Sequence, residues 1–191
     1  MSEDRLYPEQ PAGPFPEPPV SFEDREGREV EIRGDEPGAA VPEALVGTYE
    51  AFDPADRAQG IPPSGERRIR EWLAELYEGG YNAVAWHGDD AAGHATLVAE
   101  SDDGGRVDAD HDDPADGDYE LAIFVLQGYQ GAGIGKRLLR GLLGFGAAHG
   151  VERVWLTVER WNRPAVNLYQ DVGFEVADSR TFEYEMGIRL G

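Results

Sequence analysis

Three glycines at a spacing of two, Gly131, Gly133 and Gly135, stand between an apolar run and a helical repeat, an order that suits the binding of a phosphate. The apolar run Leu121, Ala122, Ile123, Phe124, Val125 is nearly continuous, as expected of a central strand covered on both faces. The repeat Ile134, Leu138, Leu139, Leu142, Leu143 marks one face of a helix. A helix start offers backbone N–H groups without intrahelical partners and the positive end of the peptide dipole, so an anion placed there meets ready-made donors. Glycine removes the Cβ and lets the anion approach the main chain closely. Lys136 can add positive charge at the same place.

Two common phosphate loops do not fit. A Walker loop requires Ser or Thr after its Gly-Lys, whereas Gly135-Lys136 is followed by Arg137, so the Mg-binding hydroxyl is missing. A dinucleotide fingerprint requires unevenly spaced glycines, and these are evenly spaced.

Gln130, Gly133 and Gly135 match the motif Gln or Arg, two residues, Gly, one residue, Gly or Ala. In this respect the loop Gln130, Gly131, Ala132, Gly133, Ile134, Gly135 resembles the pyrophosphate loop at the strand-to-helix junction of the GNAT superfamily of N-acetyltransferases. The likeness extends both ways. Upstream, Tyr119, Glu120, Leu121 and the apolar run resemble the family's fourth strand. Downstream, Asn162, Ala165, Leu168-Tyr169 and Gly173-Phe174 stand at the spacing of its fifth strand and last helix. The amino-terminal half has no comparably specific motif. The stretch 120–140 also bears a short, weak likeness to acetyltransferase domains that modify protein lysine.

The resemblance implies an α/β protein of GNAT fold, with a central mixed, twisted sheet of six to seven strands flanked by about four helices. It implies transfer of an acetyl group from acetyl-CoA, without a metal, to a primary amine of a small molecule, a protein lysine or an N-terminus. Donor and acceptor would be bound together. Acyl transfer to an amine needs a neutral amine, stabilisation of charge on the acyl oxygen and a proton for the leaving thiolate. By the likeness, Tyr169 supplies that proton and Glu120 removes the amine proton, directly or through water. Main-chain groups of Ile123, Phe124 and Val125 hold the pantetheine arm, Val125 or its neighbour facing the thioester oxygen. Residues 130–136 hold the pyrophosphate, and Asn162 caps the last helix while presenting its amide to the cofactor. Between the first two helices, Arg57 and Gln59 are candidate acceptor contacts in a polar, rigid stretch. His87 and His94 are an alternative source of a base, and Trp155 and Trp161 bracket the fifth strand where they could line the acceptor cleft. A second hypothesis is a non-catalytic acyl-CoA-binding sensor of the same fold; the presence of both Glu120 and Tyr169 speaks against it.

The elements that must position these residues are legible in part. The first 27 residues hold six of the 13 prolines and no apolar period, which predicts an extended, poorly ordered, acidic arm. The alternative is an arm packed along the domain through Phe15, Val20 and Phe22. Residues 28–191 are expected to form a single domain. Within it the pattern predicts a strand at 29–32, a helix starting at Pro42, and a helix capped by Ser64 and stopped by Gly79-Gly80. Strands are predicted at 81–87, 94–100, 119–126, 153–158 and 181–186, with helices at 133–149 and 163–172. Phe182, Tyr184 and Met186 alternate on the last strand, which would allow strand exchange or pairing at a dimer edge, so monomer and homodimer both remain open. Residues 101–118 contain eight Asp and read as a long exposed hairpin loop. The pairs Asp102/Asp103 and Asp112/Asp113 lack the regular spacing of a calcium site.

With 38 acidic against 17 basic residues the net charge is −21, which disfavours bare nucleic acid and anionic membranes as partners. The excess is spread along the chain, like a solvated coat suited to concentrated salt and a halophilic source, or a field that attracts cationic amines. There is no cysteine, so disulfides, thiolate metal sites and a cysteine nucleophile are excluded. No window resembles a signal peptide or membrane span, and a soluble cytoplasmic protein is expected.

Overall fold

The computed structural model describes residues 5–52, 62–100 and 117–190. Its elements are β1 (Val20–Glu23), β2 (Glu29–Asp35), α1 (Glu43–Glu50), α2 (Glu66–Gly79), β3 (Gly80–His87), β4 (Asp90–Ala99), β5 (Asp118–Val125), α3 (Ile134–Ala148), β6 (Arg153–Glu159), α4 (Arg163–Val172), β7 (Glu175–Ser179) and β8 (Glu183–Arg189). The strands make one mixed sheet in the order β1-β2-β3-β4-β5-β6-β8-β7. Strands β5 and β6 run parallel and the other neighbours antiparallel.

Each face of the sheet carries a helical layer because the strands alternate their side chains. On one face Leu138, Leu139, Leu142 and Leu143 of α3 pack with Val154, Leu156 and Val158 of β6 and Val166 of α4. On the other, Leu45 and Tyr49 of α1 and Ile69, Leu73 and Leu76 of α2 enclose Val84 and Phe124. Helix α4 matches its expected bounds. Asn162 Oδ1 accepts from Ala165 N at 3.3 Å, Pro164 occupies the first turn, and Gly173 ends the helix at φ 119°.

The sheet has eight strands, because two lacked a readable alternation. Strand β7 is an exposed edge strand and β1 lies within the proline-rich arm. Where it is described, the arm packs along the domain. Val20–Glu23 pairs with β2, and Ala12 N donates to Arg189 O at 2.8 Å. Between them it crosses α3 so closely that a Cβ on Gly144 would stand 2.2 Å from Pro16 O. Arg5 lies over the Trp155 ring at 3.6 Å and forms ion pairs with Glu100 and Glu185.

Three local expectations are corrected. Helix α2 has Gly65 at its N-cap with no side-chain bond, so Ser64 does not cap it. Strand β4 begins at Asp90, because β3 and β4 are joined by a tight turn in which Gly88 takes φ 61°. Strand β8 lies between β6 and β7 and is paired on both sides, so Phe182, Tyr184 and Met186 do not mark a sheet edge; the edges are β1 and β7. Most of the acidic stretch 101–118, with its Asp pairs and His111, lies outside the described residues.

Candidate active site

Strands β5 and β6 pair only at Asp118↔Arg153, Tyr119↔Val154 and Glu120↔Trp155, and then separate. On its other side β5 stays paired with β4 as far as Val125. The N–H groups of a strand alternate between its two edges. Glu100 N donates to Asp118 O at 2.9 Å and Leu126 N to Ala92 O at 2.9 Å, so the even-numbered residues of β5 turn their main-chain groups to β4. The odd-numbered residues turn theirs to β6. Ile123 and Val125 therefore present N–H groups to the opening, while the N–H and C=O of Phe124 turn to β4.

The opening is a cleft of about 680 Å³ lined by Glu120, residues 121–125, Gln130, Gly131 and Gly135 on one side. Thr157, Glu159, Trp161, Asn162, Leu168 and Tyr169 line the other. Gln130 Nε2 donates to Val125 O at 3.0 Å, tying the loop back to the strand. Gly131 and Gly133 take φ 76° and 87°, a left-handed conformation that costs other residues about 1–2 kcal/mol. This turn directs the chain into α3, whose first N–H groups lack intrahelical partners. The side chains of Ala132 and Ile134 are buried, so these residues can meet a ligand only through the main chain. Lys136 Nζ lies 3.2 Å from Asp171 Oδ2 and is absent from the cleft lining.

Glu120 is exposed, on the same sheet face as Phe124 and α1. Tyr169 packs its ring against Phe174 at 5.7 Å, and its hydroxyl has no hydrogen-bond partner among the described residues. Burial pushes its pKa up to about 12. The Asn162 cap uses Oδ1, which leaves its Nδ2 free of that bond.

His94 does not line the cleft. It is 1% exposed, with Nε2 3.0 Å from Asn82 Oδ1 and Nδ1 2.7 Å from the Tyr49 hydroxyl, as part of a core network. His87 is also outside the lining and meets the Tyr129 hydroxyl at 3.0 Å. Trp161 does line the cleft, whereas Trp155 is covered by Arg5. Arg57 and Gln59 lie outside the described residues. Sequence reasoning missed Phe52 and Glu159, which also line the cleft. The alternation of β6 was the available signal for Glu159, since it shares a face with Thr157.

The acetyltransferase (GNAT) family profile matches residues 45–174, more than half of the chain. The chain belongs to the GNAT acetyltransferase family. It is 38% identical over 68 residues to an uncharacterized N-acetyltransferase of Mycobacterium bovis, a match covering 35% of this chain and 44% of that relative. A Mycobacterium tuberculosis N-acetyltransferase matches to the same extent. The chain thus spans less than half the length of these curated relatives.

Among solved structures this GNAT chain resembles the GNAT domain of S. lividans PAT, with TM-score 0.73 at 18% identity, over 90% of this chain and 96% of that one. It also resembles yncA of Salmonella typhimurium, solved with its cofactor acetyl-CoA, with TM-score 0.57 at 16% identity, over 85% and 94% of the chains. At these identities the likeness is one of fold.

The glycines of the GNAT loop should differ in tolerance. Gly133→Ala forces a Cβ into a left-handed position and should lower stability by about 1–2 kcal/mol. At Gly135 a Cβ would meet only ordinary contacts, at 3.6 Å from Val125 and 3.8 Å from Leu168, so Gly135→Ala should leave stability near that of the parent. Denaturant unfolding of the two variants checks the contrast.

Proposed function

We propose that this chain transfers an acetyl group from acetyl-CoA to a primary amine, of a small molecule or of a protein, by direct attack while both are bound. The observation that carries this reading is the gap between β5 and β6, where the N–H groups of Ile123 and Val125 face a cleft that ends at the glycine loop. These features suit the parts of an acyl-CoA. Strand N–H groups suit a pantetheine amide and an acyl oxygen, and the start of α3 suits a pyrophosphate. Acetyl-CoA supplies the activated acyl group.

The chain's own residues would do the rest. Val125 N–H stabilises negative charge on the acyl oxygen as the amine nitrogen forms its bond to the acyl carbon. Glu120 accepts the amine proton, directly or through water, and the Tyr169 hydroxyl gives its proton to the departing sulfur as the carbon–sulfur bond breaks. With no cysteine in the sequence, a covalent thioester on the protein is not available, which favours direct attack.

Among the described residues lining the cleft, the only charged side chains are Glu120 and Glu159, and Phe52 and Trp161 add aromatic surface. Cationic amines are therefore favoured as acceptors over amines that carry a carboxylate. Initial rates should show intersecting double-reciprocal lines, and diamines should exceed amino acids of equal length in kcat/KM. Parallel lines would contradict direct attack, and a preference for the amino acids would contradict the acceptor assignment.

A further inference from the structure

A chain with a net charge of −21 repels a polyanionic ligand at long range, so local cations decide whether a phosphate is held. Five basic residues stand on the β1–β2 turn or in the first two turns of α3: Arg25, Arg28, Lys136, Arg137 and Arg140. Four are engaged. Arg28 pairs with Asp24 at 2.7 Å, and Lys136 with Asp171 at 3.2 Å. Arg137 lies over the Phe22 ring at 4.5 Å, and Arg140 over Phe15 at 5.4 Å.

Arg25 is exposed and its guanidinium has no ion pair or hydrogen bond among the described residues. Its position is set by its neighbours. The Asp24 carboxylate accepts from Glu26 N at 2.9 Å and from Arg28 N at 3.0 Å, which fixes the turn between β1 and β2. That turn is joined to the loop, since Arg25 N donates to Ala132 O at 3.1 Å and Arg28 Nη1 to Gly128 O at 2.9 Å. Arg25 Nε consequently comes within 3.7 Å of the point that a Cβ on Gly133 would occupy, beside the first turn of α3.

We propose that Arg25 is a phosphate ligand, its guanidinium binding the pyrophosphate of the acyl-CoA held on the glycine loop. The proposal rests on the acyl-CoA reading above. It extends the donor site to the β1–β2 turn, which lies outside the family-matched residues 45–174. A guanidinium matches phosphate oxygens with two parallel hydrogen bonds, and it would complement the main-chain donors of the helix start.

The test is calorimetric titration of the full chain, as parent, Arg25→Ala and Arg25→Lys, with CoA and with dephospho-CoA, which lacks the 3′-phosphate but keeps the pyrophosphate. Arg25→Ala should weaken both ligands equally, by roughly tenfold, as expected for loss of a charge-assisted hydrogen bond. Arg25→Lys should recover part of the loss. The unfolding midpoint should not move, because the contact with Ala132 is made by the Arg25 main chain. Unchanged affinity in Arg25→Ala, or a loss seen with CoA and not with dephospho-CoA, would overturn the assignment. If the parent protein binds neither ligand, the acyl-CoA reading itself fails, an outcome distinct from the other two.

Discussion

Tyr169→Phe should lower kcat on the order of 100-fold or more while leaving the affinity for acetyl-CoA close to that of the parent. Burial holds the Tyr169 pKa at about 12, so at neutral pH the hydroxyl carries the proton that a departing thiolate needs. Phenylalanine keeps the ring that packs against Phe174 and removes only the hydroxyl, which has no hydrogen-bond partner among the described residues. Stability should therefore hardly change, and that separates proton delivery from a packing role. The measurement is thiol release under saturating acetyl-CoA and amine, together with the denaturation midpoint. A Phe variant with parental kcat would remove Tyr169 from the chemistry.

The second large effect concerns stability in acid. Asn82 Nδ2 donates to Leu76 O at 3.2 Å and to Gly80 O at 2.8 Å, so Asn82 Oδ1 is the atom turned to His94. His94 Nε2 must then carry the proton, and Nδ1 accepts from the Tyr49 hydroxyl. The ring is neutral, and burial pushes its pKa down to about 3 from an ordinary 6.5. Below about pH 6.5 the unfolded chain binds a proton at this position and the folded chain does not. Stability from this group is complete above that pH and is lost as the pH falls toward 3, at about 1.4 kcal/mol per pH unit. Denaturant unfolding between about pH 4 and 6 should give a slope in His94→Gln that differs from that of the parent by about one proton, the parent losing more stability as the pH falls. Parallel curves for the two proteins would contradict the buried neutral imidazole.

His94 also illustrates the limits of a sequence reading. A polar residue expected at the start of a strand looked available for chemistry, but β4 begins four residues earlier and encloses it. The loop, β5 and α4 were legible because their function depends on spacing within a short stretch. Glycines at fixed intervals, an apolar run and the Asn162 cap leave local marks that no distant contact overrides. The strands β1 and β7 left no such mark, since one is set among prolines and the other is an exposed edge. The two tryptophans near β6 look equivalent in sequence. Only the fold separates Trp155, beneath Arg5, from Trp161, 60% exposed at the cleft. Arg25 was illegible for the same reason. Its proximity to Gly133 arises from hydrogen bonds between the β1–β2 turn and the glycine loop, segments more than a hundred residues apart.

The central claim is acetyl transfer at the gap between β5 and β6, and its most direct test is product formation. The chain would be incubated with acetyl-CoA and a panel of diamines, monoamines and lysine peptides, at low and at molar salt. Thiol release and the mass of the acceptor would be followed together. The account predicts thiol released in equal amount to an acceptor that has gained one acetyl group, with cationic amines the best acceptors. Binding of CoA with no thiol release and no acetylated product from any amine, at either salt concentration, would contradict it and leave a binding module of the same fold.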